Sequence, residues 1–527
     1  MMSVVDKCRI RVADLLADLV TEPVSSELWI TGLTLDSRQV REGDGFIALK
    51  GSLTNGVDYI EQAVDRGAEV ILVDAEAELD AKLLALEAPL FRIQNLAAQV
   101  SEIAGRFYHH PSRQMKLVAF TGTNGKTTCS RLYAQLLANL SVRSAFIGTT
   151  GFGMAQTGGA KGTAETTADD WRINSGLTTP DAVTMQRILA ELSATGAQQV
   201  ALEASSHSLV QQRIAALEID TAVFTNLSRD HLDYHGDLDR YAAAKASLFS
   251  MPGVKHAVIN RDDVIGRRIL AGLNPAITAL TFSLENPAAD IYCSQITASS
   301  QLNAPGLRAT IHTPWGREIL ESSLFGTFNL LNLLAVIGVA GIQGIELSEI
   351  LRAIAKLSAV PGRMEVITAD GKPVVVVDYA HTPDALENAL LALRPHCAGQ
   401  LHVIFGCGGD RDAGKRPLMG EIARRCADRV VVTSDNPRSE SPQQIADDIL
   451  QGIQAEVEVE LDRRQAIANC IGNAAAQDII LIAGKGHENY QILGGDRLPF
   501  SDQLEARLAL RGFSEAVLTD SLGGISL

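Results

Sequence analysis

Short, uninterrupted apolar runs that close on glycine or polar residues recur along this chain. KLVAF (116–120), QQVALEAS (198–205), TAVFTNLS (221–228) and HAVIN (256–260) form one series. PVVVVDYAH (373–381), LHVIFGCGG (401–409), RVVVTSDNP (429–437) and DIILIAGKG (478–486) form a second. A run this short and apolar at every position is a strand covered on both faces, and helical patterns separate the runs. That alternation dictates α/β units with mainly parallel sheets and helices on both sides. Between the series, about 280–324 reads as β-rich (ADIYCSQITASS, LRATIHT, GREILESSL). Ahead of them, LWITGLTLDSRQV and GDGFIALKG read as strands, and YIEQAVDRGAEVILVD as a helix running into a strand. With 527 residues the chain exceeds what one core organises, so several domains are expected. In open α/β sheets ligands bind beyond the carboxyl ends of the strands, where the unusual residues of this chain gather.

The charge balance removes one large class of function. A formal charge of -16 and a pI near 5.2 disfavour a general nucleic-acid binder, which needs a basic face. Seven scattered cysteines, none in a CxxC pair, read as reduced thiols of a cytoplasmic protein. The first twenty residues lack the apolar core of a signal peptide, and no run reaches the roughly 18 apolar residues of a membrane span. No membrane association is expected, and a monomer is the default.

FTGTNGKTT (120–128) follows a strand and opens a helix, the arrangement in which backbone N–H groups and a helix N-terminus hold phosphate. Lys126 would reach the terminal phosphates and Thr127 would ligate Mg²⁺. The spacing departs from a standard Walker A loop, with Phe120 where a glycine is required and Gly122 two residues late. Glu203, ending the next strand, is placed to serve a metal, although alone it reads as a surface glutamate. His231 and His235 stand four apart as in zinc sites, but no HExxH accompanies them, and Asp230 and Asp233 suit Mg²⁺ equally well. TSDNPRSE (433–440) sets Asp435, Asn436, Pro437 and Arg438 side by side just past a strand. Its plain reading is a turn, since Asp, Asn and Pro are turn residues.

Taken together and in order, TGTNGKTT, EASSH, NLSRDHLDYHG, AAAKASLF, GTFNLLN, PGRMEV and VVDYAHTPDAL resemble the Mur ligase family, ATP-dependent amide-forming enzymes of peptidoglycan precursor synthesis. The resemblance covers nearly the whole chain and is strongest to the diaminopimelate-adding members. It implies three α/β domains: a small N-terminal UDP-binding domain (1–95), a central P-loop-like domain (96–358) with a mainly parallel sheet and a β-rich subregion, and a Rossmann-like domain (359–527). It implies that Gly122, Thr123, Asn124, Gly125, Lys126, Thr127 and Thr128 hold ATP, joined by Asn329, Asn332, Arg363 and Asp378. Thr127, Glu203, His231 and a carbamylated Lys245 would hold Mg²⁺, with Lys126, Glu203, His231 and Lys245 as the catalytic set. By the residues alone Lys245 reads as a solvated helix lysine. Leu35, Ser37, Ser52, Leu53, Thr54, Thr178, Thr179, Ser205, Gln211 and Arg213 match positions around UDP-MurNAc-L-Ala-D-Glu. The stretch 155–177 is longer than expected before the Thr pair, and Leu177 stands where a polar residue is expected.

The same resemblance gives the DNPR turn a purpose. Meso-diaminopimelate ends in a carboxylate and an ammonium, whereas lysine ends in an ammonium alone. Arg438 can grip a carboxylate bidentately, which lysine cannot do, while Asp435 and Asn436 can accept from an ammonium and Pro437 stiffens the turn. Arg411, Gly484 and Glu488 match the remaining diaminopimelate contacts. The expected reaction joins that amino acid to the D-glutamate carboxyl through an acyl phosphate made from ATP, with His207 weighed as a proton acceptor. The rivals are the related folylpolyglutamate synthases, a P-loop kinase or GTPase, and an inactive binding protein.

Overall fold

The computed structural model describes residues 8–51, 54–157, 177–298, 306–324 and 326–512. Ser52 and Leu53 therefore lie outside the described residues, as does most of the 155–177 stretch.

Three separate, mainly parallel sheets carry the described residues. The first, of four strands, runs Gly32–Thr34, Asp44–Ala48, Ala68–Asp74 and Leu90–Ile93, all parallel. The expected helix before its third strand is Ile60–Asp65. Helix Leu96–Phe107 buries Leu96, Val100, Ile103 and Phe107 in this sheet's core, together with Ala182 and Val183 of the next sheet's helix Ala182–Ala194. That shared packing joins the N-terminal sheet to its neighbour.

The second sheet has seven strands in the order Thr278–Phe282, His256–Asn260, Ile219–Phe224, Lys116–Thr121, Gln199–Glu203, Ser144–Gly148 and Gly151–Met154. All pairs are parallel except the last. The period of two along Lys116–Thr121 sends Val118 and Phe120 to one face, against Leu132 and Leu136, and Leu117 and Ala119 to the other, against Met185 and Leu189. This is why the run is apolar at every position from Leu117 to Phe120. The β-rich stretch forms an antiparallel sheet, Tyr292–Ala298, Leu307–Thr313 and Gly316–Ser322, whose Leu307, Ile311 and Leu320 join the same core as helix Thr327–Ile342.

The third sheet has the order Glu365–Ile367, Val374–Asp378, Ile479–Ala483, Leu401–Phe405, Arg429–Val432 and Glu458–Val459, with only the first strand antiparallel. Its strand ends are braced from beneath. Arg463 and Asp502 are fully buried and paired at 2.8 Å, and the guanidinium also donates to the carbonyls of Ser434 (3.3 Å) and Ala483 (2.9 Å). One cation thus ties down the two strand ends from which the DNPR turn and the Gly484–Glu488 loop depart. Removing its counter-ion leaves a buried charge uncompensated, so Asp502→Ala is expected to destabilise this domain by about 3–5 kcal/mol. Urea unfolding followed by a probe in the C-terminal domain checks it. An unchanged midpoint would mean that the pair carries no stability.

Candidate functional site

The phosphate loop is shaped by its own backbone. Gly122 (φ +149°) and Gly125 (φ +86°) adopt conformations closed to most side chains, and a Cβ on Gly122 would collide with the Thr225 hydroxyl. Lys126, at the first turn of helix Lys126–Asn139, folds back to donate to the carbonyls of Gly122 (2.8 Å) and Thr123 (2.9 Å). Burial lowers its pKa, against the pull of Glu203 and Asp230. Asn332, on helix Thr327–Ile342, lies close under Gly125 and donates to Asn329 (3.1 Å). Arg363 reaches the loop from the C-terminal side, donating to Thr127 Oγ1 (3.1 Å) with its guanidinium 4.4 Å from the Tyr379 ring centre. Asp378 accepts from the Met364 amide (2.7 Å), and burial raises its pKa.

Glu203 is 1 % exposed at the end of its strand. Its carboxylate accepts from the Thr127 hydroxyl (2.9 Å) and from the amide (2.9 Å) and hydroxyl (3.0 Å) of Thr149. No described lysine or arginine pairs with it. Beside it the Thr179 hydroxyl donates to the Glu203 carbonyl (2.7 Å) and accepts from the Ser205 amide (3.1 Å), Thr178 meets Thr149 (3.2 Å), and Arg213 donates to Thr179 O (2.7 Å) and grips Gln211 (2.6 and 2.9 Å). Thr178, Thr179, Ser205, Gln211 and Arg213 thus form one wall next to Glu203. Leu35, Ser37 and Thr54 stand apart, in the loops beyond strands Gly32–Thr34 and Asp44–Ala48; Ser37 there donates to Gln62 (2.6 Å).

The acids and histidines of 230–235 divide their work. His235 pairs with Ser206 (2.9 Å) and turns away from a shared zinc site with His231. Asp230 is 6 % exposed and lies near His231 (3.3 Å), His381 (3.7 Å) and Lys415 (4.0 Å). Burial pushes its pKa up, but His381, His231 and Lys415 outweigh it and hold the carboxyl well below the usual range. Burial pushes His231 down to about 3, so its imidazole is neutral. No three His, Cys, Asp or Glu among the described residues gather as a metal site.

Lys245 overturns its plain sequence reading. It is 1 % exposed, on helix Leu238–Ala246, with Nζ donating to Gly122 O at 2.7 Å. That carbonyl also accepts from Lys126, so two lysine nitrogens share one oxygen. Burial, reinforced by Lys126, drives its pKa far below that of a free lysine.

On the C-terminal sheet, the DNPR turn follows strand Arg429–Val432. Arg438 sits at φ +55°, a left-handed conformation uncommon for a residue with a side chain. Its amide donates to Ile492 O (3.2 Å), and its Nη1 donates to the carbonyls of Gly409 (2.7 Å) and Asn436 (3.4 Å). Asn436 lines the same cavity; its oxygen accepts from Lys485 (3.1 Å) and Ile492 N (3.0 Å), and its amide donates to Glu488 (2.8 Å), so it also orients its neighbours. Gly484 (φ +115°) passes so close to Asp435 that a Cβ would sit 2.6 Å from its carboxylate.

The groups of the C-terminal sheet meet part of the central one in a cavity of about 650 Å³, which Lys126, Glu203 and Lys245 do not line. Thr149, Thr178, Asp230 and His231 line it from the central sheet, and Arg411, Asp435, Asn436, Arg438, Gly484 and Glu488 from the C-terminal one. Asn124–Asp384 (2.8 Å) and Arg229–Asp412 (3.0 Å) close the seam between them. His207, pushed down to about 4 by burial, is not among the lining residues. Sequence reasoning missed Thr149, Tyr379, His381, Lys415, His487 and Arg497, all of which line the cavity. HIS and LYS in the runs DYAH and DAGKR carry no spacing of their own; position just past a strand was the one available signal.

Three family models match the chain: "Mur ligase family, catalytic domain" over 29–108, "Mur ligase middle domain" over 120–340, and "Mur ligase, glutamate ligase domain" over 362–486. A Pseudomonas putida protein named UDP-N-acetylmuramoyl-L-alanyl-D-glutamate–2,6-diaminopimelate ligase is 48% identical over 91% of this chain and 95% of its own length. A Coxiella burnetii protein of the same name is 42% identical over 94% and 98%. A solved structure of a ligase with that name is 37% identical, with a TM-score of 0.64, over 95% of this chain and 99% of its own.

Proposed function

The chain belongs to the Mur ligase family, and on that premise we propose that it adds meso-2,6-diaminopimelate to the D-glutamate of UDP-MurNAc-L-Ala-D-Glu, converting ATP to ADP and phosphate. The observation that carries this reading is a cavity in which His231 and Asp230 of the central domain face the arginines and carboxylates of the C-terminal one.

In the first step the D-glutamate carboxylate attacks the γ-phosphorus of ATP. Lys126 and the loop amides from Gly122 to Thr128 stabilise the charge on the transferred group, with Asn329, Asn332, Arg363 and Asp378 holding the nucleotide. The wall of Thr178, Thr179, Ser205, Gln211 and Arg213 places the dipeptide end beside Glu203, while Leu35, Ser37 and the 52–54 loop hold the uridine end. In the second step the neutral amine of diaminopimelate attacks the acyl phosphate, forming the amide and releasing phosphate. Arg411 and Arg438 hold carboxylate, and Asp435 and Glu488 hold ammonium. Closing the seam excludes water, which would otherwise hydrolyse the acyl phosphate.

The residues fit Mg²⁺. Glu203 is a buried carboxylate without a described cationic partner, next to a threonine hydroxyl, and such hard oxygen donors suit this ion. Bound there, Mg²⁺ would neutralise phosphate charge. His231 and Lys245 complete the set only if Lys245 is carbamylated. Two buried lysines on one carbonyl favour a neutral amine, which can add CO2 and release a proton, becoming an anion that Lys126 then offsets. Carbon-13 NMR of protein equilibrated with labelled bicarbonate is expected to show one carbamate signal, lost in Lys245→Met. Its absence in active wild-type protein would remove Lys245 from the metal set.

We place the enzyme in the cytoplasm, as a monomer divided near residues 95 and 358. Free cysteines and the lack, among the described residues, of a helix long and apolar enough to cross a membrane support that placement. The test is product stoichiometry. Mass spectrometry of the reaction should show one UDP-MurNAc-tripeptide for each ADP and each phosphate. ATP turnover without amide would reject the reading.

A further inference from the structure

Lys415 is a buried cation that nothing among the described residues fully partners. Its side chain is 7% exposed and lines the cavity, yet it makes no hydrogen bond to a described residue. Its one ion-pair partner, Asp230, lies at 4.0 Å, the limit of such a contact, and already faces His231 and His381. An ammonium removed from bulk water is costly unless something anionic receives it. A structural lysine would be found hydrogen-bonded, as Lys485 is to Asn436 (3.1 Å) and Glu488 (3.0 Å) on the same sheet.

Its place says which anion. Lys415 begins helix Lys415–Cys426, so the helix dipole adds to its charge. Through Asp230 it is tied to the His231 end of the cavity, where phosphoryl chemistry is placed. Its helix belongs to the C-terminal α/β unit, so it reaches that end only when the two halves meet.

We infer that Lys415 is a catalytic residue of the second step, holding the oxygen that becomes anionic when the amine attacks the acyl phosphate. This rests on the ligase reading above. The amine nitrogen forms the new C–N bond and the C=O π pair moves onto oxygen, beside the Lys415 ammonium. Collapse re-forms C=O, breaks the C–O bond to phosphorus and expels phosphate, and the surplus amine proton leaves to water.

Rapid-quench measurements separate the two steps. ADP formed before any amine is added reports acyl phosphate formation, and amide formed after diaminopimelate is added reports the attack. Lys415→Met keeps the buried volume. It is expected to leave the amine-independent ADP burst near the wild-type rate, which also shows that the variant is folded. Amide formation should fall about 10²–10³-fold with KM for diaminopimelate little changed, the usual loss for one oxyanion donor. Lys415→Arg should recover part of it. Equal slowing of both steps would make Lys415 a brace between domains, and a raised KM with kcat intact would make it an amino-acid ligand; either overturns the inference. Failure of wild-type protein to form amide would instead reject the ligase reading.

Discussion

Replacing Lys126 with methionine is expected to lower kcat about a thousandfold while leaving the thermal midpoint nearly unchanged. The side chain now spans two carbonyls, Gly122 and Thr123, so methionine loses two hydrogen bonds but keeps most of the packing. With ATP present those same donors would turn to phosphate oxygens, and the loss falls on the charge that develops as the phosphoryl group moves. The signature is a fall in the amine-independent ADP burst. A variant that made acyl phosphate at the normal rate would place Lys126 outside the phosphoryl transfer.

Arg438 carries the second large effect. Arg438→Ala is expected to lower kcat/KM for diaminopimelate by about 2–5 kcal/mol, the range for losing one partner of a buried charge pair. Most of it should appear in KM. Arg438→Gly separates backbone from side chain. Glycine relieves the left-handed conformation at φ +55°, so that variant should be at least as stable as the alanine one and yet equally poor with diaminopimelate. If Gly restored activity, the turn's backbone would be the functional element and the guanidinium incidental. Lysine at 438 keeps a charge but not the fork held by Gly409 and Asn436, and it should recover little.

Much of the architecture is legible in the chain because its physics is local. A strand covered on both faces must be apolar along its covered length, and residues 117–120 and Ile479–Ala483 are. The phosphate loop is equally legible, since its glycines answer to backbone conformation. Lys245 is the opposite case. Three alanines precede it on a short helix, a pattern typical of a solvated face, and its burial comes from a loop more than a hundred residues earlier. Only the resemblance to known ligases flagged it. The residue type of Asn436 suits a ligand, but its bonds to Lys485, Ile492 and Glu488 come from segments some fifty residues away and are not legible in the sequence. Arg463, Lys415 and His487 have no motif; what makes each matter is another segment arriving beside it, and such contacts are absent from one-dimensional spacing.

The central claim is that one cavity presents an activated carboxyl to an amine whose far end carries both charges. Amide formation from UDP-MurNAc-L-Ala-D-Glu and ATP, compared at equal concentrations of meso-diaminopimelate and L-lysine, tests it most directly. Amide with diaminopimelate is expected at about a hundredfold or more over lysine, since a site built for a carboxylate leaves its arginines unpaired when lysine binds. Equal use of the two amines would contradict it.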